Sequence, residues 1–93
     1  SALRVLASLA LAADAPAGLP KGKMKERYLE GAKAVKAGDH SAALEAFIEV
    51  IDRQRDYAKE GAKEACKAIF QLLGIRHPIV EKHYRAFTSA LYS

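Results

Sequence analysis

Hydrophobic residues recur at helical spacing along most of this chain. In residues 24–37 the apolar positions fall three or four residues apart, which places them on one face of a helix. Residues 40–55 carry two adjacent apolar rows, a pattern typical of a helix with neighbours on two sides. Residues 57–73 and 78–92 carry one row each, and residues 2–13 are almost wholly apolar. No stretch alternates in the manner of a strand, so the pattern predicts an all-α fold of about five helices.

The sharpest local signal lies between the second and third predicted helices. Gly38 can adopt the left-handed conformation that ends a helix without strain. Asp39 can then cap the next helix by accepting a hydrogen bond from a free backbone amide. The third helix opens with Ala42 and Ala43, whose small side chains allow two helices to approach closely. Residues 36–51 therefore predict an antiparallel helical hairpin, which is a packing unit and not a reaction centre.

Similar signals predict the ends of the last two helices. Asp56 is in place to cap a fourth helix that begins at Tyr57, and Gly74 is in place to end it. Pro78 then suits the first turn of a fifth helix, where its missing amide does no harm.

The first 23 residues form a separate segment, and residues 24–93 form the main domain. The apolar stretch 2–13 is shorter than the roughly 20 residues that span a membrane. Two interpretations remain open: the apolar core of a signal peptide, or a buried helix left over from a preceding hairpin. The buried helix would point Leu3, Leu6, Leu9 and Ala10 inward. Residues 14–22 hold two prolines and two glycines and predict a loop.

The amino-acid composition further limits the possible kinds of core, partner and cysteine chemistry. Alanine supplies 19 of the 93 residues and only 8% are aromatic, which favours closely packed helices over a bulky core. A net charge of +4 more often reflects a solvated surface than nucleic-acid binding. The single cysteine, Cys66, excludes an internal disulfide, and its place beside an apolar row predicts a small buried hydrophobe.

No catalytic constellation is visible in the sequence. His40, His77 and His83 lack the spacing of a helical zinc site, and no serine lies in a nucleophile elbow. The glycines are scattered and form no phosphate-binding loop. We therefore expect no enzyme activity, no metal and no cofactor.

The hairpin at Gly38 resembles a tetratricopeptide repeat, a unit of about 34 residues in which small residues mark the crossing of two helices. Gly31 and Ala43 would fill the two small positions, and Phe47 the aromatic one.

Further motifs occur in the following order: Ala-Gly-Asp-His-Ser-Ala-Ala-Leu (37–44), Arg-Asp-Tyr (55–57), Gly-Ala-Lys (61–63), Ala-Ile-Phe-Gln-Leu-Leu-Gly (68–74), His-Pro-Ile-Val (77–80), Tyr-Arg (84–85) and Ser-Ala-Leu-Tyr-Ser (89–93). In this order they are similar to the C-terminal tetratricopeptide-like domain of thioredoxin-fold chaperones, the bacterial chaperedoxin family. That family usually has an acidic cap where His77 stands.

This resemblance implies a short right-handed array of stacked antiparallel hairpins. It implies a non-catalytic protein–protein interaction module of a thioredoxin-like co-chaperone or holdase, which docks an unfolded client or a chaperone partner. A thioredoxin domain would precede Ser1, and Ser93 would be the native C-terminus. The compartment would be the bacterial cytoplasm or an organellar matrix, with no membrane partner.

Two groups of residues are the candidate partner-binding positions. The last helix presents Lys82, His83, Arg85 and Tyr92. The fourth helix presents Lys59, Lys63 and Lys67 along one side, where they could face an acidic partner.

The alternative function is a basic helical module that binds nucleic acid. Its candidate residues are Lys21, Lys23, Lys25, Arg27 and Lys36.

Overall fold

The computed structural model describes residues 1–92 and confirms the all-α prediction. Its helices are α1 (Ala2–Asp14), α2 (Lys25–Ala37), α3 (His40–Arg53), α4 (Gly61–Leu73) and α5 (Pro78–Tyr92). A short 3-10 turn, Pro16–Gly18, follows α1, and the described residues contain no strand. None of the helices in residues 1–92 has the length and apolar character needed to cross a bilayer. Ser93, expected to be the native C-terminus, lies outside the described residues.

The predicted turn between α2 and α3 is confirmed in detail. Gly38 is left-handed, with φ 79° and ψ 11°. The backbone amide of Asp39 donates to the carbonyl of Ala34 at 2.8 Å, which closes the end of α2. The side chain of Asp39 accepts from the amide of Ala42 at 3.1 Å and so caps α3.

The close crossing of α2 and α3 depends on Gly31. A Cβ atom at Gly31 would lie 2.7 Å from the tip of the Phe47 ring. That ring is fully buried and meets the ring of Tyr28 edge-on, with centroids 5.2 Å apart. The glycine thus makes room for the aromatic side chain that fills the centre of the first hairpin.

The second hairpin consists of α4 and α5. Its first helix begins later than Tyr57, where the sequence predicts it to start. α4 starts at Gly61, because Ala58, Lys59 and Glu60 are left-handed with φ of 55°, 56° and 63°. The predicted capping role of Asp56 is therefore wrong. Tyr57 explains the interruption: its ring is buried and its hydroxyl donates to the carbonyl of Pro20 at 2.5 Å. Tertiary burial of this residue outweighs local helix propensity.

The start of α5 agrees with the sequence analysis. Pro78 is the first helical residue. The ring nitrogen Nδ1 of His77 accepts a hydrogen bond from the amide of Ile79 at 3.1 Å, as a capping side chain does. α5 then packs mainly against α3 and touches α4 through few residues, so a groove remains between α4 and α5.

α1 packs against both α2 and α4. Leu6 and Leu9 are buried as expected, whereas Leu3 is 69% exposed and its predicted inward direction is wrong. The buried face follows a wider helical row, in which Leu6 and Leu9 are flanked by the partly buried Val5 and Ala13. Leu3 lies outside that row and points to solvent.

Candidate functional site

The structure separates the predicted partner-binding residues into different places. Lys63, Lys67 and Tyr92 come together in the groove between α4 and α5. Lys59 lies outside it, exposed in the left-handed turn before α4. Two further predicted residues, Lys82 and Arg85, are exposed on α5 but do not line the groove.

We call this depression the basic–aromatic groove. Its defining residues are Lys63, Lys67, Phe70, Tyr84, Phe87 and Tyr92. It is an open depression with a volume of about 540 Å³. Lys63, Lys67 and Phe70 all lie on α4, at intervals of four and three residues. Positions three or four residues apart share a helix face, so the two lysines lie on the same side of α4 as Phe70.

Three aromatic rings form the floor and wall of the groove. The Phe70 ring packs edge-on against Phe87 at 5.1 Å and at a tilt against Tyr84 at 5.5 Å. Phe87 is buried, while Tyr84 is 50% exposed and Tyr92 is 86% exposed. Large exposed aromatic surface beside a buried aromatic floor is typical of protein-binding sites.

The charge of the groove comes from its two lysines. Lys67 Nζ lies 3.5 Å from the carboxylate of Glu64 in an exposed pair, which is a weak interaction in water. Lys63 forms no ion pair within residues 1–92. The groove therefore places positive charge next to exposed aromatic surface, which is complementary to a carboxylate beside an apolar or aromatic side chain.

His83 does not belong to the exposed surface predicted for the last helix. It is buried with 6% of its surface exposed, and its Nε2 is hydrogen-bonded to Ser41 Oγ at 2.8 Å. Burial lowers the pKa of His83, opposed by the nearby Glu45 and reinforced by Lys82. The neutral imidazole joins the start of α3 to α5. No carboxylate hydrogen-bonds to it among the described residues, so a serine–histidine–acid triad is not formed.

Cys66 is fully buried, which confirms its prediction as a small buried hydrophobe. Burial raises the pKa of its thiol, so the nucleophilic thiolate is strongly disfavoured. Residues 1–92 contain no group of three or more side chains that could hold a metal ion.

The basic residues proposed for nucleic-acid binding are partly neutralised. Arg27 is bonded to Glu49 at 2.9 Å and to Glu30 at 3.1 Å. Lys36 is ion-paired with Asp14. The remaining members of the set are Lys21, Lys23 and Lys25. Two of the five cations therefore already pair with carboxylates of the domain, through exposed or partly exposed pairs that are weak in water.

Sequence reasoning named one of the four aromatic residues of the groove, Tyr92. Its candidate residues did not include Phe70, Tyr84 or Phe87. The signal that could have found them is the position of Phe70, one residue after the buried Ile69 and therefore on the flank of the α4 core face.

Comparison with known proteins gives one match. A family model described as tetratricopeptide repeat matches residues 20–92. That range contains α2 to α5 and all residues of the basic–aromatic groove, and it leaves α1 outside. No curated protein and no solved structure shows a significant match.

Proposed function

The chain belongs to the tetratricopeptide repeat family, and on that premise we propose that it is the docking module of a thioredoxin-linked co-chaperone. Stacked hairpins of this kind expose long surfaces for protein partners, and they are typically not catalytic. In the proposed role the module holds an unfolding client, or docks on a chaperone partner, in a bacterial cytoplasm or an organellar matrix.

The observation that carries the proposal is the basic–aromatic groove. Exposed Tyr84 and Tyr92 offer apolar contact area, and Lys63 and Lys67 offer positive charge at one side of it. The complementary ligand is an extended or helical segment that carries acidic residues next to aromatic or aliphatic ones. Segments of this kind are exposed when a protein unfolds, which fits a holdase.

The experiment measures binding of an acidic, permanently unfolded model client. Reduced and carboxymethylated α-lactalbumin is titrated with the chain, and the dissociation constant is read by fluorescence anisotropy. We expect Tyr92→Ala to weaken binding about 5- to 30-fold, as truncation of an aromatic contact residue does. Lys63→Gln with Lys67→Gln should weaken it about 2- to 30-fold, because two exposed charge pairs contribute about 0.2–1 kcal/mol each.

Two matched controls test whether the effect belongs to the groove. Ile75→Ala removes an apolar side chain that is 80% exposed but lies outside the groove. Lys21→Gln with Lys23→Gln removes two exposed charges from the loop before α2. Both controls should bind the client like the wild type. An equal loss of affinity in the controls and the groove variants would mean that the client adheres nonspecifically, which would refute the proposal. Affinity that no groove variant changes would also refute it.

Point substitutions are preferable to shortening the last helix. Removal of residues 86–93 would also remove Phe87 and Ala90, which are buried against the core. Tyr92 is 86% exposed, so its replacement tests binding without disturbing the fold.

A further inference from the structure

A second groove lies on the other flank of α5, between α5 and α3. We call it the acidic groove, and its volume is about 510 Å³. Its lining comes from one side of each helix: Glu45, Ile48, Glu49 and Asp52 of α3, and His83, Ala86, Ser89 and Ala90 of α5. None of these lining residues is a lysine or an arginine, although the chain carries a net charge of +4. The charge of the acidic groove is therefore opposite to that of the chain as a whole.

Three carboxylates follow one face of α3 along this groove. Glu45, Glu49 and Asp52 are spaced four and three residues apart, so they share one side of the helix. Glu49 is already paired, because its carboxylate lies 2.9 Å from Nε of Arg27 and 3.4 Å from Nε of Arg53. Glu45 and Asp52 are exposed and form no ion pair within residues 1–92. These two carboxylates are about 10 Å apart along the axis of α3, which is close to two helical turns.

The surface between Glu45 and Asp52 is apolar. Ile48 is partly exposed there, and Ala86 and Ala90 lie on the α5 side of the groove. The short side chains of the two alanines leave room for an aliphatic side chain of a ligand, and removal of such a side chain from water is favourable. The groove thus combines an apolar floor with a carboxylate towards each end.

His83 is a second feature of the groove that points to a ligand. Only 6% of its surface is exposed, yet it lines the groove. Its Nε2 is hydrogen-bonded to Ser41 Oγ at 2.8 Å, whereas its Nδ1 has no hydrogen-bond partner in the described part of the chain. In that part, the buried side-chain nitrogen without a partner is Nδ1 of His40, so Nδ1 of His83 is open to solvent. A ring that the domain otherwise encloses therefore leaves one nitrogen for a ligand to bond.

We propose that the acidic groove binds a basic amphipathic helix of a partner protein. The spacing of Glu45 and Asp52 sets the pattern of that helix: lysine or arginine side chains seven positions apart share a face and meet both carboxylates. Aliphatic residues three and four positions after the first cation lie between them and contact Ile48 and Ala86. Nδ1 of His83 hydrogen-bonds a polar group of the same helix.

This proposal goes beyond the docking of an acidic client. The partner has the opposite charge, and it binds on the other flank of α5 from the basic–aromatic groove.

The experiment measures binding of a synthetic helix to the full chain. The probe is a labelled alanine-based peptide of about 18 residues, long enough to form a helix. It carries two lysines seven positions apart, with leucines three and four positions after the first. Fluorescence anisotropy gives the dissociation constant at low ionic strength, because salt screens exposed charges.

Two variants of the groove should weaken the binding of this peptide. Glu45→Gln with Asp52→Asn should weaken it about 2- to 30-fold, as expected for the loss of two exposed charge pairs. Ala86→Lys should weaken it at least about tenfold, because a lysine there fills the floor and repels the cations of the peptide. Both variants change exposed side chains, so circular dichroism should show an unchanged fold.

Matched controls separate the groove from the rest of the surface. Glu26→Gln with Asp56→Asn removes two exposed carboxylates outside the groove and changes the net charge by the same amount. Ala7→Lys adds a lysine at an exposed alanine of α1. These controls should bind the peptide like the wild type. Lys63→Gln with Lys67→Gln should bind it no more weakly than the wild type, so this proposal and the proposed function fail independently.

Peptide variants test the same contacts without any change to the protein. A peptide with glutamine in place of both lysines should lose affinity, and so should one with alanine in place of both leucines. A peptide with its second lysine on the opposite helix face should also bind more weakly. Binding of the original peptide should shift the ring nitrogen NMR signals of His83, whereas His77, which caps α5 outside the groove, should not respond.

Four results would overturn the proposal. The first is no binding at millimolar peptide. The second is an equal loss of affinity in Glu45→Gln with Asp52→Asn and in its control, which would mean attraction to the chain as a whole. The third is equal affinity for the peptide without leucines, which would mean that any cation suffices. The fourth is a dimer of the chain that Glu45→Gln with Asp52→Asn dissociates, which would make a second copy the occupant.

Discussion

Replacing Gly31 by alanine tests the packing at the centre of the first hairpin. A Cβ atom at Gly31 would lie 2.7 Å from Cζ, 2.8 Å from Cε1 and 3.0 Å from Cε2 of Phe47. Carbon atoms in favourable contact are about 3.5–4.0 Å apart. The ring cannot easily retreat, because Phe47 is fully buried and packs edge-on against Tyr28.

Two opposing effects set the magnitude. In an unhindered helix interior, alanine in place of glycine stabilises by about 0.8–1.0 kcal/mol. Forcing an extra methyl group into a closely packed core destabilises by about 1–3 kcal/mol. We expect Gly31→Ala to lower the free energy of unfolding by roughly 1 kcal/mol, which lowers Tm by about 4–8 °C in a domain of this size.

The assay is urea unfolding followed by circular dichroism. Gly18→Ala is the control, because a Cβ at Gly18 would meet no atom within 4 Å, and it should change stability by less than about 0.5 kcal/mol. In a Phe47→Leu background the tip of the ring is absent, so Gly31→Ala should lower the free energy of unfolding by less than it does in the wild type. The coupling energy between the two substitutions should be about 0.5–3 kcal/mol. Stabilisation by Gly31→Ala of about 1 kcal/mol in the wild-type background would refute the reasoning.

Three further substitutions test other contacts. Lys59→Gly should raise the unfolding free energy by about 1 kcal/mol, because Lys59 is left-handed with φ 56°; urea unfolding measures it. Tyr57→Phe should lower it by about 0.5–1.5 kcal/mol, because the hydrogen bond to the Pro20 carbonyl is lost, and the same assay measures it. His83→Gln tests how the free energy of unfolding depends on pH. Burial holds the pKa of His83 below its ordinary 6.5, so its stabilisation is present above pH 6.5 and declines as pH falls through the folded pKa. The stability difference between wild type and His83→Gln should therefore shrink from pH 7.5 towards lower pH.

Each of these predictions has a result that contradicts it. Lys67→Gly, inside α4, should destabilise by about 1 kcal/mol, and equal effects at Lys59 and Lys67 would contradict the left-handed turn. A Tyr57→Phe protein as stable as the wild type would remove the anchoring role of that hydroxyl. A stability difference at His83 that stays constant with pH would show that the group titrates alike in the folded and unfolded states.

Local signals predicted most of the fold. The left-handed glycine, the capping aspartate and the small residues of the first hairpin are short-range features, and each appears where the sequence placed it. The predicted start of α4 at Tyr57 was wrong because residues 57–60 contain no glycine or proline to mark a break in the helix. There the burial of Tyr57 decides the backbone, and its partner at Pro20 is distant in sequence.

The candidate site was predicted only in part. Lys63, Lys67 and Tyr92 were named from the sequence, and they do share a groove. His83 was misjudged because helical periodicity alone did not show that α3 covers that side of α5. Tyr84 was not among the candidate residues, although it is 50% exposed and lines the groove. Its exposure follows from the gap between α4 and α5, which depends on the packing of both helices against α3.

The most direct test of the docking account is an amide NMR titration of the chain with the carboxymethylated α-lactalbumin client. The account predicts that shift changes concentrate in residues 63–71 and 84–92, which line the basic–aromatic groove. It also predicts that these changes weaken in the Lys63→Gln with Lys67→Gln variant. Changes centred on residues 21–36, or none at millimolar client, would contradict it.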